Sequence, residues 1–577
     1  MKKLLLMTLG FAAAMTTNAF TEPAEYINYS WQGIAPNGSV AVSEIYGAMT
    51  IVDFTTGSEY SYEDPEYVMY FTGGLGNFVS NNGIVVGNYS QSGPASYWKA
   101  GEWYDLDGRN TIGGNIANAI TPDGSRICGG LMMEKMSTEA ENIMMLPCIW
   151  DATADGYGEY TILPHPSVDF VGRTPQYVSA IAISADGKTI VGQITDYSGF
   201  VHQPIVYTEG ADGEWSYSLP AESLFHPEGY DVPEDPGECP NRPQAQDFMT
   251  EEEYAAYQAA IDAYWNNGGQ YPIVADFMTE DELAAYNDAL AAYNTVYEDW
   301  SAKYDAFSSA FQALCDVVPN YEFNNVYITP NGQKYITSGY VSVEDPDSWW
   351  PISVYYPTII DLTTGEVTNI ETNGVSMMVA DVPNDNDMFL CNGINDMISC
   401  GWLYRDGVAT PVEDWLSGYG EEMAEWIRNT LTRNIVTGYK YDNDGNLIVD
   451  GDGNPVAETI EAICTGVCVA NSDLSTVAMW CQDTWSGENY TASYIFNLDD
   501  DGSTDIISVG KNTISFDEDG NIVTDGDIKS VEVYDLQGRQ ILTSSANGTI
   551  ANNLPAGIYV IRAHTSNCAS FAAKIRK

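Results

Sequence analysis

Basic residues are scarce in this chain: 22 lysines and arginines stand against 81 aspartates and glutamates in 577 residues, a formal net charge of −59. A surface of that sign repels phosphate backbones, which argues against nucleic acid as a partner. It suits solubility in an exposed, saline setting, with divalent cations or cationic partners as the other readings of the charge. Histidine is rarer still. The four present (His165, His202, His226, His564) show no metal-ligand spacing. Beyond the first residues there is no apolar run long enough to span a bilayer. No cysteine follows the leading apolar run, so nothing marks a lipid-anchored N-terminus. A serine-nucleophile elbow, a zinc-protease helix motif and a phosphate-binding loop are all missing from the contexts they require. Gly73-Gly74 and Gly113-Gly114 fall between strand patterns and read as turns. The sequence therefore nominates no catalytic residue, no resident cofactor and no metal ligand set.

Apolar material is ample: 44% hydrophobic residues, with 39 Tyr and 14 Trp, enough for a large folded body. The chain opens MKKLLLMTLGFAAAMTTNA, a basic start, an apolar run and small residues. Residues 1–19 are expected to be a secretory signal peptide cleaved after Ala19.

The body is repetitive. Ala180–Gly192 (AIAISADGKTIVG) reads as two short strands around an Asp-Gly turn, and Gln203–Leu219 as two more around Gly210–Gly213. Together they make one four-stranded antiparallel unit. Its first half recurs at Gly33–Ser43, Asn77–Gly87, Ala119–Gly129, Ile181–Gly192, Val326–Gly339, Val379–Asn392 and Val467–Met479. The second halves are Met49–Tyr62, Ala95–Leu106, Pro147–Leu163, Gln203–Leu219, Tyr356–Ile370, Cys400–Val412 and Ser493–Val509. Asn-Gly and Asp-Gly supply the positive φ of tight hairpins, and the flanking residues alternate or run apolar as buried strands do. Early turns are spaced by roughly forty-odd residues, the period of a β-propeller blade. The expected fold is mainly β: about seven blades over residues 26–509, with six or eight left open by the degenerate last copies.

Two stretches break the pattern. About Cys239–Val318 the period turns helical and duplicates itself, Asp247–Tyr257 (DFMTEEEYAAY) returning as Asp276–Tyr286 (DFMTEDELAAY). Thr250 and Thr279 followed by Glu253 and Glu282 predict capping boxes. A third helix, about Val296–Val317, is expected to complete a bundle. The second insertion, 413–458, predicts a helix at Tyr419–Leu431 and a hairpin at Gly438–Val456. Long loops carry recognition, so these two insertions are expected to frame any site.

Ten cysteines in an exported chain suggest disulfides, with Cys128–Cys148, Cys391–Cys400, Cys464–Cys481 and Cys239–Cys315 as the pairing hypothesis. Calcium is the one cation worth weighing, at Asp442, Asn443, Asp444, Asp450 and Asp452 or at Asp499–Asp501. Asp-Gly and Asn-Gly turn chemistry explains the same residues without metal. Trp349, Trp350 and Trp485, in loop-like settings, are candidate platforms for stacking a flat ligand.

Two resemblances complete the reading. Ala182, Ile183, Ser184, Asp186, Gly187, Ile190, Val191 and Gly192 resemble the A-I-S-x-D-G-x-x-I-V-G repeats of secreted bacterial propellers, which implies a fold and not a function. Residues 511–577 resemble the type A C-terminal sorting domain of the type IX secretion system. One motif is carried by Val533, Tyr534, Asp535, Gly538 and Arg539. The other is carried by Leu554, Gly557, Ile558, Tyr559, Val560 and Arg562, with Lys574 near the end. That resemblance implies a small β-sandwich, the type IX machinery as a partner, and export to the surface or medium of a Gram-negative cell. The expected function is a binding module for a glycan or protein. The alternatives are a hydrolase using carboxylates in the propeller funnel, and a structural surface-layer protein.

Overall fold

The structure is a computed structural model. It describes residues 22–576 except 28, 46–47, 63–77, 89–93, 109–113, 133–143, 197–198, 200, 345–350, 373–374, 386–387, 396–397, 406, 443–445, 452–453, 484–489, 499–506, 510–511, 517–521, 526–527, 535–539, 546–547, 551–557 and 566–569.

The repeated Ser-x-Asp-Gly segment is a hydrogen-bonded turn. In Ser184–Thr189 the Ser184 hydroxyl donates to Asp186 Oδ1 (2.7 Å). The same Asp186 oxygen accepts the Lys188 N–H (3.0 Å), and Ser184 Oγ accepts the Thr189 N–H (3.0 Å). Thr121–Asp123 and Thr329–Asn331 repeat the first bond at 2.7 and 2.8 Å. The motif's polar residues thus satisfy the backbone of a turn that is only partly buried. Gly187 takes φ 72°, as a turn of this kind requires. In the last copy Leu474 holds the same position at φ 61°, its side chain buried among Leu390, Val477 and Phe496. The motif's closing glycine has a different cause. Gly192 faces a bulge in the neighbouring strand, between Ala180 and Ala182. A Cβ on Gly192 lies 1.8 Å from the Ser179 carbonyl oxygen.

These units build a β-propeller. Among the described residues seven sheets follow one another: Trp31–Ile34 to Ser58–Tyr62; Val85–Asn88 to Glu102–Asp105; Ile116–Ile120 to Gly156–Ile162; Tyr177–Ile183 to Trp215–Ser218; Tyr321–Ile328 to Val367–Asn369; Ser376–Asp381 to Val408–Pro411; and Val467–Ala470 to Tyr490–Asn497. They are blades 1 to 7 below. In blade 2, Val79 forms an antiparallel bridge with Val85 on the inner side of Val85–Asn88. Blades 3 and 4 touch through one parallel pair, Met145 and Tyr177. The core lies between blades, for example Cys128, Ile149, Ile190 and Tyr207 between blades 3 and 4. Burial on both sheet faces is why the strands read as nearly continuous apolar runs.

Closure of the ring differs from the sequence expectation. The fourth strand of blade 7 was expected within Ser493–Val509. It is the N-terminal strand Ala24–Ile27, paired antiparallel to Tyr490–Asn497 with Ala24 opposite Ile495. Ile507–Val509 instead pairs with Asn512–Phe516 in the C-terminal module. A ring closed by strands from both ends ties the chain's start to its last blade and covers the edge that Tyr490–Asn497 would otherwise present.

Both insertions leave from the connection between an outer strand and the next blade's inner strand. The first carries both predicted capping boxes, with Thr250 accepting from Glu253 N–H and Thr279 from Glu282 N–H. It holds two long helices, Glu251–Asn267 and Glu280–Cys315, and not a three-helix bundle. No glycine or proline interrupts Glu280–Cys315, so the second copy and the expected third helix are one rod of 36 residues. The duplicated halves pack reciprocally: Phe248 lies against Tyr286 (5.5 Å) and Phe277 against Tyr257 (5.5 Å). In the second insertion, helices Val412–Ser417 and Glu421–Leu431 pack between blades 6 and 7. The hairpin is longer than expected, with Thr432 paired to Ile463. The C-terminal module comprises two four-stranded sheets.

Candidate functional site

Inner strands and their turns converge at one end of the central channel, around a cavity of about 340 Å³. Its wall repeats one position of the motif: Ile34, Val79, Ile120, Ile183 and Ile328 in blades 1 to 5, Asp381 in blade 6 and Ala470 in blade 7. The position two residues on forms the rim: Pro36, Asn81, Pro122, Ala185, Pro330, Pro383 and Ser472. Rim residues that keep an N–H donate it to the next blade's proline carbonyl: Asn81 to Pro122, Ala185 to Pro330 and Ser472 to Pro36. Where proline removes the donor, side chains take over. Asn37 Nδ2 donates to the Asn81 carbonyl (3.0 Å), and Asp385 accepts from Asn331 N–H (2.7 Å). The mouth is thereby fixed by bonds that cross the blade interfaces.

Asp381 is the one titratable residue in this lining. It is 3% exposed, and its Oδ2 accepts the Ala470 N–H from blade 7 (2.8 Å). Burial pushes its carboxyl up to about 7, opposed by the N–H bonds from Ala470 and Val382. The cavity therefore offers an apolar wall, a rim of carbonyls and amides, and a single carboxyl group that exchanges its proton near neutrality. Glycoside hydrolysis by the usual route needs two carboxyl groups.

The insertions stand on the other face. Turns joining first to second strands line the cavity, whereas both insertions follow fourth strands, which end at the opposite face of an antiparallel blade. The expectation that the insertions frame the site does not hold for this cavity. Under the base of the long helix, Phe311 and Leu314 pack on Phe170, Val201 and Phe225. Beside them Asp169, 5% exposed, accepts from the Val171 and Arg173 N–H groups through Oδ1, while its Oδ2 has no hydrogen-bond partner. Burial raises its carboxyl pKa, and the Asp196 charge adds to the rise. His202 contacts Thr195 Oγ1 (3.1 Å) and is driven down to about 4 by burial. His165 Nδ1 donates to the Pro166 carbonyl (2.8 Å). No group of three or more ligating side chains fit for a metal occurs among the described residues.

The other sequence candidates divide as follows. Trp349, Trp350 and Trp485 lie outside the described residues, as do Asn443, Asp444, Asp452 and Asp499–Asp501. Asp442 and Asp450 each accept the N–H of the asparagine four residues on, Asn446 and Asn454, at 2.9 Å, which is turn chemistry. The thiols of Cys128 and Cys148 are not joined. Cys128 lies opposite Ile149 and Cys148 opposite Gly129, so the two sulfurs face different sides of blade 3. Cys391 lies opposite Trp402 and Cys400 opposite Gly393; the two are diagonal and not joined to each other by a disulfide, at a separation of roughly 7–8 Å in such a pairing. Cys239 is exposed and is not bonded to Cys315, which sits half-buried at the helix end. The side chain of Cys481, the partner expected for Cys464, lies outside the described residues.

In the C-terminal module the two segments that carry the sorting-domain resemblance share a sheet. Val533 is opposite Ile561 and Tyr534 opposite Val560, while Val560 pairs on its other side with Lys574. Val533 is fully buried, and Ile558, Tyr559 and Arg562 lie on the same strand, Ile558–Thr565. Asp535, Gly538, Arg539, Leu554 and Gly557 lie outside the described residues.

Asp381 was missed because sequence reading treated the blade 6 turn as a degenerate copy. Aligning the turns on Pro36, Pro122, Pro330 and Pro383 puts Asp381 where five blades carry Ile or Val, and that misfit was the signal.

No helix among the described residues is long and apolar enough to cross a membrane. The chain matches no protein-family model and no curated protein sequence. Among solved structures it is similar to hydrazine synthase of Kuenenia stuttgartiensis, at 11% identity and TM-score 0.35 over 84% of this chain and 98% of that one. It is also similar to the Dos1 propeller, at 9% identity and TM-score 0.33 over 82% and 93%. The β-propeller domain of the trilobed protease from Pyrococcus furiosus gives 8% identity and TM-score 0.29 over 96% and 97%. The chain's own sheets make it a mainly β, propeller-fold protein.

Proposed function

We propose that this chain is a propeller exported by the type IX route that works as a binding module for a glycan or protein ligand at the cell surface or in the medium. The signal peptide at 1–19 and the motifs in 511–577 support the export reading. One observation carries the binding reading: the channel mouth is a rigid, mostly apolar cavity with polar rim groups and a single carboxyl, the composition of a ligand pocket. A funnel hydrolase calls for a second carboxyl group, which the described lining does not supply.

The test is a glycan- and peptide-array screen of the processed chain, with and without calcium, monitoring reducing-end release on every hit. Binding without cleavage, weakened by Ile120→Trp at the cavity wall, is the expected result. Cleavage of a bound glycan overturns the module reading. Recovery of the protein from the medium or cell surface, lost on deleting 511–577, tests the export route separately.

A further inference from the structure

The tip of the first insertion carries a feature its packing does not require. The two copies of the duplicated segment use the same contacts, Phe248 on Tyr286 and Phe277 on Tyr257. Beyond these contacts the copies diverge. With the copies offset as Tyr257 is from Tyr286, Tyr264 corresponds to Tyr293 but Trp265 corresponds to Asn294. Trp265 is 73% exposed, the most exposed large hydrophobic side chain among the described residues. Its neighbours hold it in a built cluster. Tyr264 meets Trp265 edge-on at 5.2 Å and Tyr271 edge-on at 5.2 Å, with Tyr271 49% exposed. Gly268 (φ 71°) and Gly269 (φ 118°) turn the chain sharply between the two aromatics, and nothing stands within 4 Å of where their side chains would be.

Composition selects the occupant. From Ala263 to Ala275 (AYWNNGGQYPIVA) there is no charged residue, whereas Asp262 and Asp276 bound the stretch within a chain of net charge −59. The polar groups here are the amides of Asn266, Asn267 and Gln270, each both donor and acceptor. An exposed indole beside neutral amides suits a ligand with a flat apolar face edged by hydroxyls. The surrounding negative field disfavours phosphate, sulfate and uronate groups.

We propose that Trp265 and Tyr271, with Asn266, Asn267 and Gln270, form a binding site for a neutral oligosaccharide, the indole stacking on a pyranose ring. The site is separate from the channel mouth and stands or falls independently of it.

The experiment is calorimetric titration of the processed chain with neutral hexose and pentose oligosaccharides, alongside polyuronate and sulfated glycans as charged comparators. The expected result is saturable binding of a neutral oligosaccharide. Trp265→Ala weakens it tenfold or more, and Trp265→Phe retains part. Melting temperature is unaltered by Trp265→Ala, because the side chain is exposed. Three outcomes overturn the proposal: no neutral oligosaccharide binds; Trp265→Ala binds as well as the parent chain; or Trp265→Ala changes only sedimentation, which makes the tip a contact between copies of this chain.

Discussion

Replacing Asp381 with asparagine tests the account of the channel mouth most directly. Asparagine keeps an oxygen that accepts the Ala470 N–H and nearly the same volume, but it does not ionise. In the folded chain the Asp381 carboxyl titrates near 7, against 3.8 in an exposed carboxylate. A folded-state pKa above the unfolded value means the folded chain binds the extra proton between these limits. Its contribution to stability is therefore present below pH 4 and is lost as pH rises to 7. The full difference corresponds to about 4 kcal/mol. Unfolding entropy for a body of this size is on the order of 1 kcal/mol per kelvin, so the loss appears as a shift of about 4 °C in melting temperature. The measurement is scanning calorimetry of parent and variant from pH 4 to pH 8, compared as a difference so that the other carboxylates cancel. The variant should match the parent near pH 4, melt progressively higher as pH rises from 4 to 7, and hold a constant lead from there to pH 8. A difference that does not change with pH refutes the argument. A variant less stable at pH 8 reverses it, making the ionised carboxylate a clamp between blades 6 and 7.

Further predictions address the fold. Gly192→Ala drives a methyl into the Ser179 carbonyl (1.8 Å) and should cost at least ~3 kcal/mol, seen as loss of soluble chain or a large drop in denaturant midpoint; normal stability refutes the bulge argument. Arg126 joins Asp151 (2.5 Å), Glu209 (2.9 Å) and the Gly187 carbonyl (2.8 Å) across blades 3 and 4. Arg126→Met should therefore cost roughly 2–3 kcal/mol by stranding Glu209, and an unchanged midpoint counts against a working clamp. Deleting Ala24–Ile27 unpairs Tyr490–Asn497 and removes the Tyr26 contact with Trp31 (5.1 Å). Limited proteolysis should then cut within blade 7 first, and a parent-like pattern would show closure by another strand. In thiol titration Cys239 should react in the native chain, and Cys128, Cys148 and Cys391 only on unfolding; a Cys128–Cys148 cross-link in non-reducing peptide maps refutes the register.

Much of the architecture was legible in the residues because each blade solves the same local problem. Asp186, Asn331 and Asp123 mark their turns as acceptors, and Gly187 or its counterparts mark the positive φ. Those signals are local, so they survive in sequence. Closure by Ala24–Ile27 was not legible, since pairing between the two ends of the chain leaves no mark in either segment alone. The continuous helix Glu280–Cys315 was misread because internal duplication suggested separate units, although no breaker lies between them. The disulfide hypothesis failed for Cys128 and Cys148 through the parity of the strand: one residue of offset moves a sulfur to the other face.

The same reasoning locates function. Residues that recur in every blade are explained by turns, bulges and packing, so they carry no information about a ligand. Departures from the repeat are where another requirement has acted. Asp381 departs from an isoleucine ring and leaves a buried, ionisable carboxyl facing blade 7, at a cost that an apolar residue would not incur. Trp265 departs from its duplicate Asn294 and leaves an indole in water, though neighbouring Tyr264 keeps its counterpart in Tyr293. Neither substitution improves the fold that surrounds it. A repeat protein is its own control in this respect: the sister positions state what packing alone accepts. The two that break ranks stand at different places, one on the channel mouth and one on the insertion tip. Variants at Asp381 and Trp265 should accordingly be additive in any binding assay that registers both, since residues this far apart with no shared partner do not couple.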